Sequence, residues 1–261
     1  MKCRHCRASA VVSSCDDELN TDECMRVLKS LSQLKPMIIW TGGEPMMRSD
    51  LVELVRHASS LGIRSVLAPC GMLVTTERLL TLKDAGVVAC SFSIDGPDSN
   101  SHDSFRGVKG AWDAVFHAMA AARAVHMPFQ VNTVVRKGSI RSLDAVYEIA
   151  MAEGAMRLDL FFLVPTGRGR AIESFVPDDG EIDEVIAWAK CRKTKLTCCP
   201  QAGTCIGGRG FAFLSHTGDL QACGFVQTPC GNIREFDFDF IRLVEAANNP
   251  LGTSGNCRSV Q

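Results

Sequence analysis

From about residue 20 to residue 165 the chain alternates short, continuous apolar runs with helix-length amphipathic segments, and this alternation restricts the fold more than any other feature. A short apolar run without period-two alternation reads as a strand buried on both faces, and such a strand needs helices to cover it. Repeated βα units around a parallel sheet meet both demands, so the fold class is α/β. Five units are expected, with strands over residues 37–40, 64–68, 88–94, 129–135 and 158–164. Asn20 with Glu23, and Asp50 with Glu53, have capping-box spacing ahead of apolar periodic runs, and Gly62, Gly86 and Gly154 stand where helices should stop. After Pro165 the pattern changes to a loop over 177–180, a helix over 181–190 and an irregular Cys- and Gly-rich stretch over 195–210. A β-hairpin from 211–215 and 219–223 and a last helix over 238–247 follow.

Composition narrows the function. A formal net charge of −1 gives no basic field for nucleic acid or anionic lipid. No stretch reaches the roughly 18 uninterrupted apolar residues of a membrane span, and the first residues lack a secretion signal, so the sequence reads as soluble and cytoplasmic. In a reducing compartment, 13 cysteines, an odd number, point to metal rather than to a disulfide framework.

Cys3-Arg4-His5-Cys6 precedes the first helix, and Thr41-Gly42-Gly43-Glu44-Pro45 ends the first strand. Alone, the first is a metal pair, a redox pair or chance, and the second is a turn. Their order matters: in a parallel barrel the loops at the carboxyl ends of strands converge on one site, so both would face the same small ligand.

These motifs resemble the radical S-adenosylmethionine (SAM) enzymes, whose signature is C-x3-C-x2-C followed by G-G-E-P. The resemblance implies a partial (β/α)6 barrel lacking its first strand over residues 1–170, and an incomplete SPASM or twitch auxiliary-cluster segment over 171–261. It implies a [4Fe-4S] cluster held by three thiolates, with SAM chelating the open iron. Cys3 and Cys6 match the second and third cysteines; the first would lie two positions upstream of Met1, and an unpaired sheet edge with poor solubility is expected in place of the missing strand. The resemblance carries over Gly42, Gly43, Glu44 and Pro45 to the methionine end of SAM, Ser93 and Arg106 to SAM and its carboxylate, and Asn132 and Leu163 to the ribose and adenine. A solvated Arg106 and a core Leu163 are the structural alternatives. Where many relatives have Thr-Asn-Gly, this chain has Pro69-Cys70-Gly71, so Cys70 is either a substrate-side thiol or a small buried hydrophobe.

Cys205, Gly218 and Cys223 fit C-x12-G-x4-C, the opening of a SPASM domain, and Cys257 lies where its next cysteine run would begin. These three cysteines are the candidate ligands of an auxiliary [4Fe-4S] cluster, with Cys198, Cys199 and Cys230 as further candidates; zinc is the alternative metal. Segments around Cys3, Val164-Pro165-Thr166-Gly167-Arg168-Gly169 and Gly208-Arg209-Gly210 resemble the haem-pathway branch. That branch includes 12,18-didecarboxysirohaem deacetylases, haem d1 biosynthesis proteins and synthases that decarboxylate coprohaem, and the Cys223-Gly224-Phe225 context looks most like the deacetylases. The implied partners are an iron tetrapyrrole, whose carboxylates Arg168 and Arg170 could clamp, and an electron donor such as flavodoxin or ferredoxin. His5 and His216 are either axial or acid groups or solvent-facing polar residues. A SPASM-type peptide-modifying enzyme and an inactive truncated fragment are the rival readings.

Overall fold

The computed structural model describes residues 2–247 apart from 12, 14, 200, 202–206 and 209. Six strands form one parallel sheet in sequence order, β1 (Met37–Trp40), β2 (Arg64–Leu67), β3 (Val87–Ser93), β4 (Phe129–Val135), β5 (Leu158–Phe162) and β6 (Thr194–Thr197). The sheet curls into a half-barrel. The helices between successive strands are α2 (Leu51–Ser60), α3 (Thr76–Ala85), α4 (Ser99–Arg106), α5 (Ala111–Ala124), α6 (Ile140–Ala152) and α7 (Asp179–Ala189), with α1 (Thr21–Leu31) ahead of β1. Beyond β6 come a minimal antiparallel ladder, β7 (Phe213–Leu214) with β8 (Leu220–Gln221), and α8 (Phe240–Ala246).

The two faces of the central strands have different chemistry. Cys90, Phe92, Val131, Val135, Leu158, Leu160 and Phe162 pack into the main core with the helices. Each fully buried Leu or Phe there stabilises the fold by about 2 kcal/mol. The alternate positions carry a polar ladder: Asn132 Nδ2 donates to Ser91 Oγ at 2.7 Å, and Gln130 Nε2 donates to Asn132 Oδ1 at 3.0 Å and to Asp159 Oδ2 at 2.9 Å.

Several boundaries differ from the sequence expectation. The stretch over 195–210 is not wholly irregular, because β6 pairs in parallel with β5 from Leu158↔Thr194 to Phe161↔Thr197. Its Thr-Lys-Leu-Thr sequence lacks an apolar run because it lies at a sheet edge. The residue-170 division therefore falls inside the 3₁₀ segment Gly167–Phe175, with one strand of the sheet beyond it. β5 ends at Phe162, which leaves Leu163 just past the strand, its amide donating to Val135 O at 2.9 Å. The capping box at Asn20 forms, but Asp50 makes no cap; its carboxylate takes Arg48 and the Thr21 hydroxyl instead. At the other edge β1 exposes Met37 and Ile39.

The C-terminal module does not stand apart. Leu220, Ala222, Ile233, Phe238 and Leu243 share one apolar cluster with Leu19 and Val27 of the α1 region. Arg234 pairs with Glu23 at 2.8 Å, and Arg26 Nη2 donates to Asp237 Oδ1 at 2.5 Å. Gly218, the glycine of the C-x12-G-x4-C pattern, has φ +90° and no space for a Cβ, which would stand 2.8 Å from Ile233 Cγ2.

Candidate active site

Cys3 and Cys6 lie in one tight turn, with the Cys6 amide donating to Cys3 O at 3.3 Å, and both are partly buried. Two distant segments hold this turn. The Arg4 amide donates to Arg106 O at 2.9 Å. On the other side the Arg168 amide donates to Cys6 O at 3.0 Å, while Arg168 Nε and Nη1 donate to Cys3 O and Ala10 O, each at 2.8 Å. Gly167, at φ +55°, lets this approach occur: a Cβ there would stand 2.3 Å from Arg7 O and 2.6 Å from Cys6 O.

Arg168, which in the sequence reading could clamp a substrate carboxylate or stand in solvent, has Nε and Nη1 engaged on the cysteine loop, while its buried Nη2 has no hydrogen-bond partner among the described residues. Arg170 is exposed. Arg106 is 8% exposed, so the solvated reading does not apply to it. Its Nε lies 3.0 Å from Asp95 Oδ2, an ion pair without hydrogen-bond alignment.

Asp95 follows the end of β3 and organises a buried cluster of bases. Its Oδ1 accepts from the Val134 amide at 2.9 Å, Oδ2 faces Arg106 and lies 3.9 Å from His5 Nε2, and its own amide donates to His102 Nδ1 at 3.1 Å. Burial alone would raise the Asp95 pKa; Arg106, His5, His102 and the Val134 amide outweigh it and hold the carboxyl below its usual range. Burial, reinforced by Arg106, pushes His102 down to about 4, so it is neutral. Burial also lowers His5, which stacks on Phe105 at 4.8 Å, and the Arg136 guanidinium lies 4.5 Å from that ring. Burial raises the Cys3 pKa against the opposing effect of Arg106.

On the β1 and β2 side, Glu44 joins two loops. Oε1 accepts from the Met46 amide at 3.0 Å, and Oε2 accepts from the Cys70 amide at 2.6 Å. Burial, then the hydrogen bond and charge of Glu44, push the Cys70 thiol up to about 11, so it stays protonated at neutral pH. Pro45 opens a buried 3₁₀ turn. A Cβ on Gly42 would meet nothing within 4 Å, which leaves space for a ligand, whereas one on Gly43 would touch Ala10. Ser93 and Asn132 are register partners at the ends of β3 and β4, but both ends of the Asn132 amide are already used in the polar ladder. Leu163 is buried.

Arg7 reaches from the cysteine loop to the C-terminal module. Its Nη1 donates to Gly224 O at 2.9 Å and its guanidinium lies 4.5 Å from the Phe213 ring. Burial lowers its pKa, and the charges of Cys6, Cys223 and Cys198 act in the opposite sense. Cys205 and Cys257 lie outside the described residues.

Every buried side-chain N or O atom without a hydrogen-bond partner among the described residues belongs to this region: His5 Nδ1, Asp95 Oδ2, His102 Nε2, Arg106 Nε, Arg136 Nε, Thr166 Oγ1 and Arg168 Nη2. Native interiors satisfy nearly all such groups, so their concentration here fits a site built for a polar ligand. Among the described residues no group of three or more His, Cys, Asp or Glu is arranged to hold a metal. Cys3 and Cys6 fit as two thiolates of a cluster, and the described residues offer no third beside them. The sequence reading missed Asp95, His102 and Arg136. The signal was present for Asp95, an acid placed directly after a buried strand and followed by bases at 102 and 106.

The fold is that of the radical SAM class, and residues 1–148 match the family model described as the Radical SAM superfamily. The chain belongs to this superfamily, whose members work with a [4Fe-4S] cluster and SAM. It is 36% identical over 271 residues to the AdoMet-dependent heme synthase of Nitratidesulfovibrio vulgaris, covering 91% of this chain and 74% of the relative. The AdoMet-dependent heme synthase of Methanosarcina barkeri is 35% identical over 294 residues, 98% of this chain and 84% of the relative. The PqqA peptide cyclase of Rhodopseudomonas palustris is 28% identical over 260 residues, 93% of this chain and 67% of the relative. Native anSMEcpe with bound AdoMet superposes with a TM-score of 0.69 over 94% of this chain and 76% of the other at 15% identity, a likeness of fold alone. Among the described residues no helix is long and apolar enough to cross a membrane.

Proposed function

We propose that the chain is a radical SAM enzyme of haem biosynthesis that abstracts hydrogen from side chains of an iron tetrapyrrole. The observation that carries the tetrapyrrole is similarity to AdoMet-dependent heme synthases over more than nine-tenths of the chain. Those names favour a decarboxylating reaction on coprohaem over the acetate removal that the Cys223-Gly224-Phe225 context resembles.

In this reading Cys3 and Cys6 would be two of the cluster's thiolate ligands, and the cluster with SAM would supply the hydrogen-abstracting chemistry. The chain's own part is placement. Arg168 and Arg106 fix the cysteine loop from both sides. The Gly42 and Gly43 loop, ordered by Glu44 and Pro45, lies at the methionine end, Ser93 meets SAM, and Asn132 and Leu163 lie near the ribose and adenine. Cys223, with Cys205 and Cys257, begins the auxiliary site, and Arg7 supplies positive charge beside it. We place the end of the barrel after β6 and the start of the auxiliary module beyond it.

The test is anaerobic reconstitution followed by SAM, dithionite and iron coproporphyrin III or 12,18-didecarboxysirohaem. Loss of carbon dioxide from the first, or of acetate groups from the second, supports the reading and selects the reaction. Formation of 5′-deoxyadenosine with both tetrapyrroles unchanged refutes it, and stoichiometric zinc in a colourless protein refutes the cluster. The resemblance to PqqA peptide cyclase supports a second reading, a peptide substrate, which predicts crosslinking of a precursor peptide under the same conditions.

A further inference from the structure

We infer that the Arg136 guanidinium is the anchor for a carboxylate on the rim of the substrate, which it grips through two parallel N–H···O bonds. This anchor deepens the tetrapyrrole reading above and rests on it, because iron coproporphyrin III and 12,18-didecarboxysirohaem both carry carboxylates around the macrocycle.

The strands set its place. Side chains along a strand alternate between the two faces of a sheet. On β4, Phe129, Val131 and Val135 enter the core, while Gln130 and Asn132 carry the polar ladder on the other face. Arg136 follows the last residue of β4 on the parity of Gln130 and Asn132. On β3 the corresponding positions are Ser91, which accepts from Asn132, Ser93, which pairs in register with Asn132, and Asp95 just past the strand. Arg136 therefore stands at the carboxyl-end mouth of the sheet, beyond the residues assigned to SAM, where the loops of a parallel barrel meet their substrate. Asp95 is close enough to act on it: burial lowers the Arg136 pKa and the charge of Asp95 works in the opposite sense.

What marks Arg136 is a missing acceptor. Arg7 reaches Gly224 O, Arg106 faces Asp95, and Arg168 holds Cys3 O and Ala10 O. Among the described residues the Arg136 side chain donates no hydrogen bond and joins no ion pair, and its buried Nε is without a partner. A cation withdrawn from water in this way destabilises the fold until an anion meets it. Its position is nevertheless fixed. The guanidinium lies 4.5 Å from the Phe105 ring centroid, and the same ring stacks on His5 at 4.8 Å. The loop is held by its backbone: the Arg136 amide donates to Ser139 Oγ at 3.1 Å, the Lys137 amide to Phe175 O at 2.7 Å and the Gly138 amide to Glu181 Oε1 at 2.7 Å. A planar fork that is held in advance and lacks an acceptor suits a carboxylate.

The test compares the wild-type chain with Arg136→Gln and Arg136→Lys, each reconstituted and supplied with SAM. Quenching of tryptophan fluorescence measures binding of iron coproporphyrin III and of its tetramethyl ester, and calorimetry measures SAM affinity. Arg136→Gln is expected to weaken binding of the free acid about thirtyfold, with Arg136→Lys in between because it keeps the charge and loses the fork. The ester, which offers no carboxylate, should bind wild type and both variants alike. SAM affinity and Tm should be unchanged, since backbone bonds hold the loop. Equal affinity of wild type and Arg136→Gln for the free acid overturns the anchor. An equal loss for acid and ester overturns it too, because the side chain would then only shape the site, and a matching loss of SAM affinity assigns the cation to SAM instead. A wild-type chain that binds neither iron coproporphyrin III nor 12,18-didecarboxysirohaem overturns the tetrapyrrole reading itself, and the anchor with it.

Discussion

Removing the Arg168 side chain tests whether the cysteine loop is held by the barrel or merely rests near it. Arg168→Ala deletes the donors to Cys3 O and Ala10 O, each at 2.8 Å, and keeps the backbone bond from residue 168 to Cys6 O. Hydrogen bonds from a charged donor contribute about 1.5–3 kcal/mol each, and the freed carbonyls lie close enough to the surface to regain some water. A net loss of about 3 kcal/mol raises the opening equilibrium of the loop roughly 150-fold. Amide hydrogen exchange reads this directly: peptides spanning residues 2–11 should exchange about two orders of magnitude faster, while those of β3 to β5 remain unchanged. Iron retained after reconstitution should fall in parallel. Arg168→Lys, which can replace only one donor, should fall between the two. Loop exchange within about threefold of wild type in the alanine variant refutes the clamp. A raised KM for tetrapyrrole with unaltered loop exchange would return Arg168 to the substrate.

Other outcomes follow from the same contacts. Gly167→Ala forces a Cβ to within 2.3 Å of Arg7 O at φ +55°, so it should cost more than about 2 kcal/mol and lower Tm by several degrees; an unchanged Tm would show that the approach is not tight. Asp95→Asn leaves Arg106 and His5 beside a neutral amide, and loss of one partner of a buried pair costs about 3–5 kcal/mol, measurable by denaturant unfolding and by weaker SAM binding. With a pKa of about 11, the Cys70 thiol is ionised to only about one part in a thousand at pH 8, so exposed Cys15 should be alkylated far sooner; equal rates by mass spectrometry would refute its protonated state. The hydrogen bond from Arg234 lowers Glu23 to about 2. A depressed carboxyl stabilises above its unfolded pKa of about 4.3 and loses that stabilisation as pH falls through about 2. The pair is exposed, so the effect is below about 1 kcal/mol; Glu23→Gln should remove it from an acid unfolding profile.

The strands legible in the sequence are those that carry several apolar residues within a few positions. Residues 129–135 put Phe129, Val131 and Val135 in the core while Gln130 and Asn132 carry the polar ladder, and residues 37–40 are apolar although Met37 and Ile39 are exposed at the sheet edge; the expected bounds match β1 and β4. β6 was missed because an edge position lets Thr194, Lys195 and Thr197 stand where an interior strand would need apolar residues. The same difference divides the site. Cys3, Cys6 and the Gly42 to Pro45 loop are legible because their chemistry is written in adjacent residues. Asp95 and Arg168 are not, because what defines them is the partner: Asp95 meets Val134, and Arg168 meets Cys3 across 165 residues of chain. An arginine in a glycine-rich loop has the same local sequence whether its guanidinium meets a substrate carboxylate or a backbone carbonyl.

This dependence on distant partners orders assembly. The cysteine turn has one internal bond between its own cysteines, from the Cys6 amide to Cys3 O, and that geometry at 3.3 Å is loose. Its remaining positioning comes from Arg106, at the end of the helix after β3, and from Arg168, beyond β5. Both exist in place only once β3, β4 and β5 have paired, because Asp95, which faces Arg106, is itself held by the Val134 amide of β4. On the cluster reading proposed above, these contacts predict that a chain whose β3 to β5 have not paired retains no iron; equal iron stoichiometry in denaturant-unfolded and folded protein would refute it.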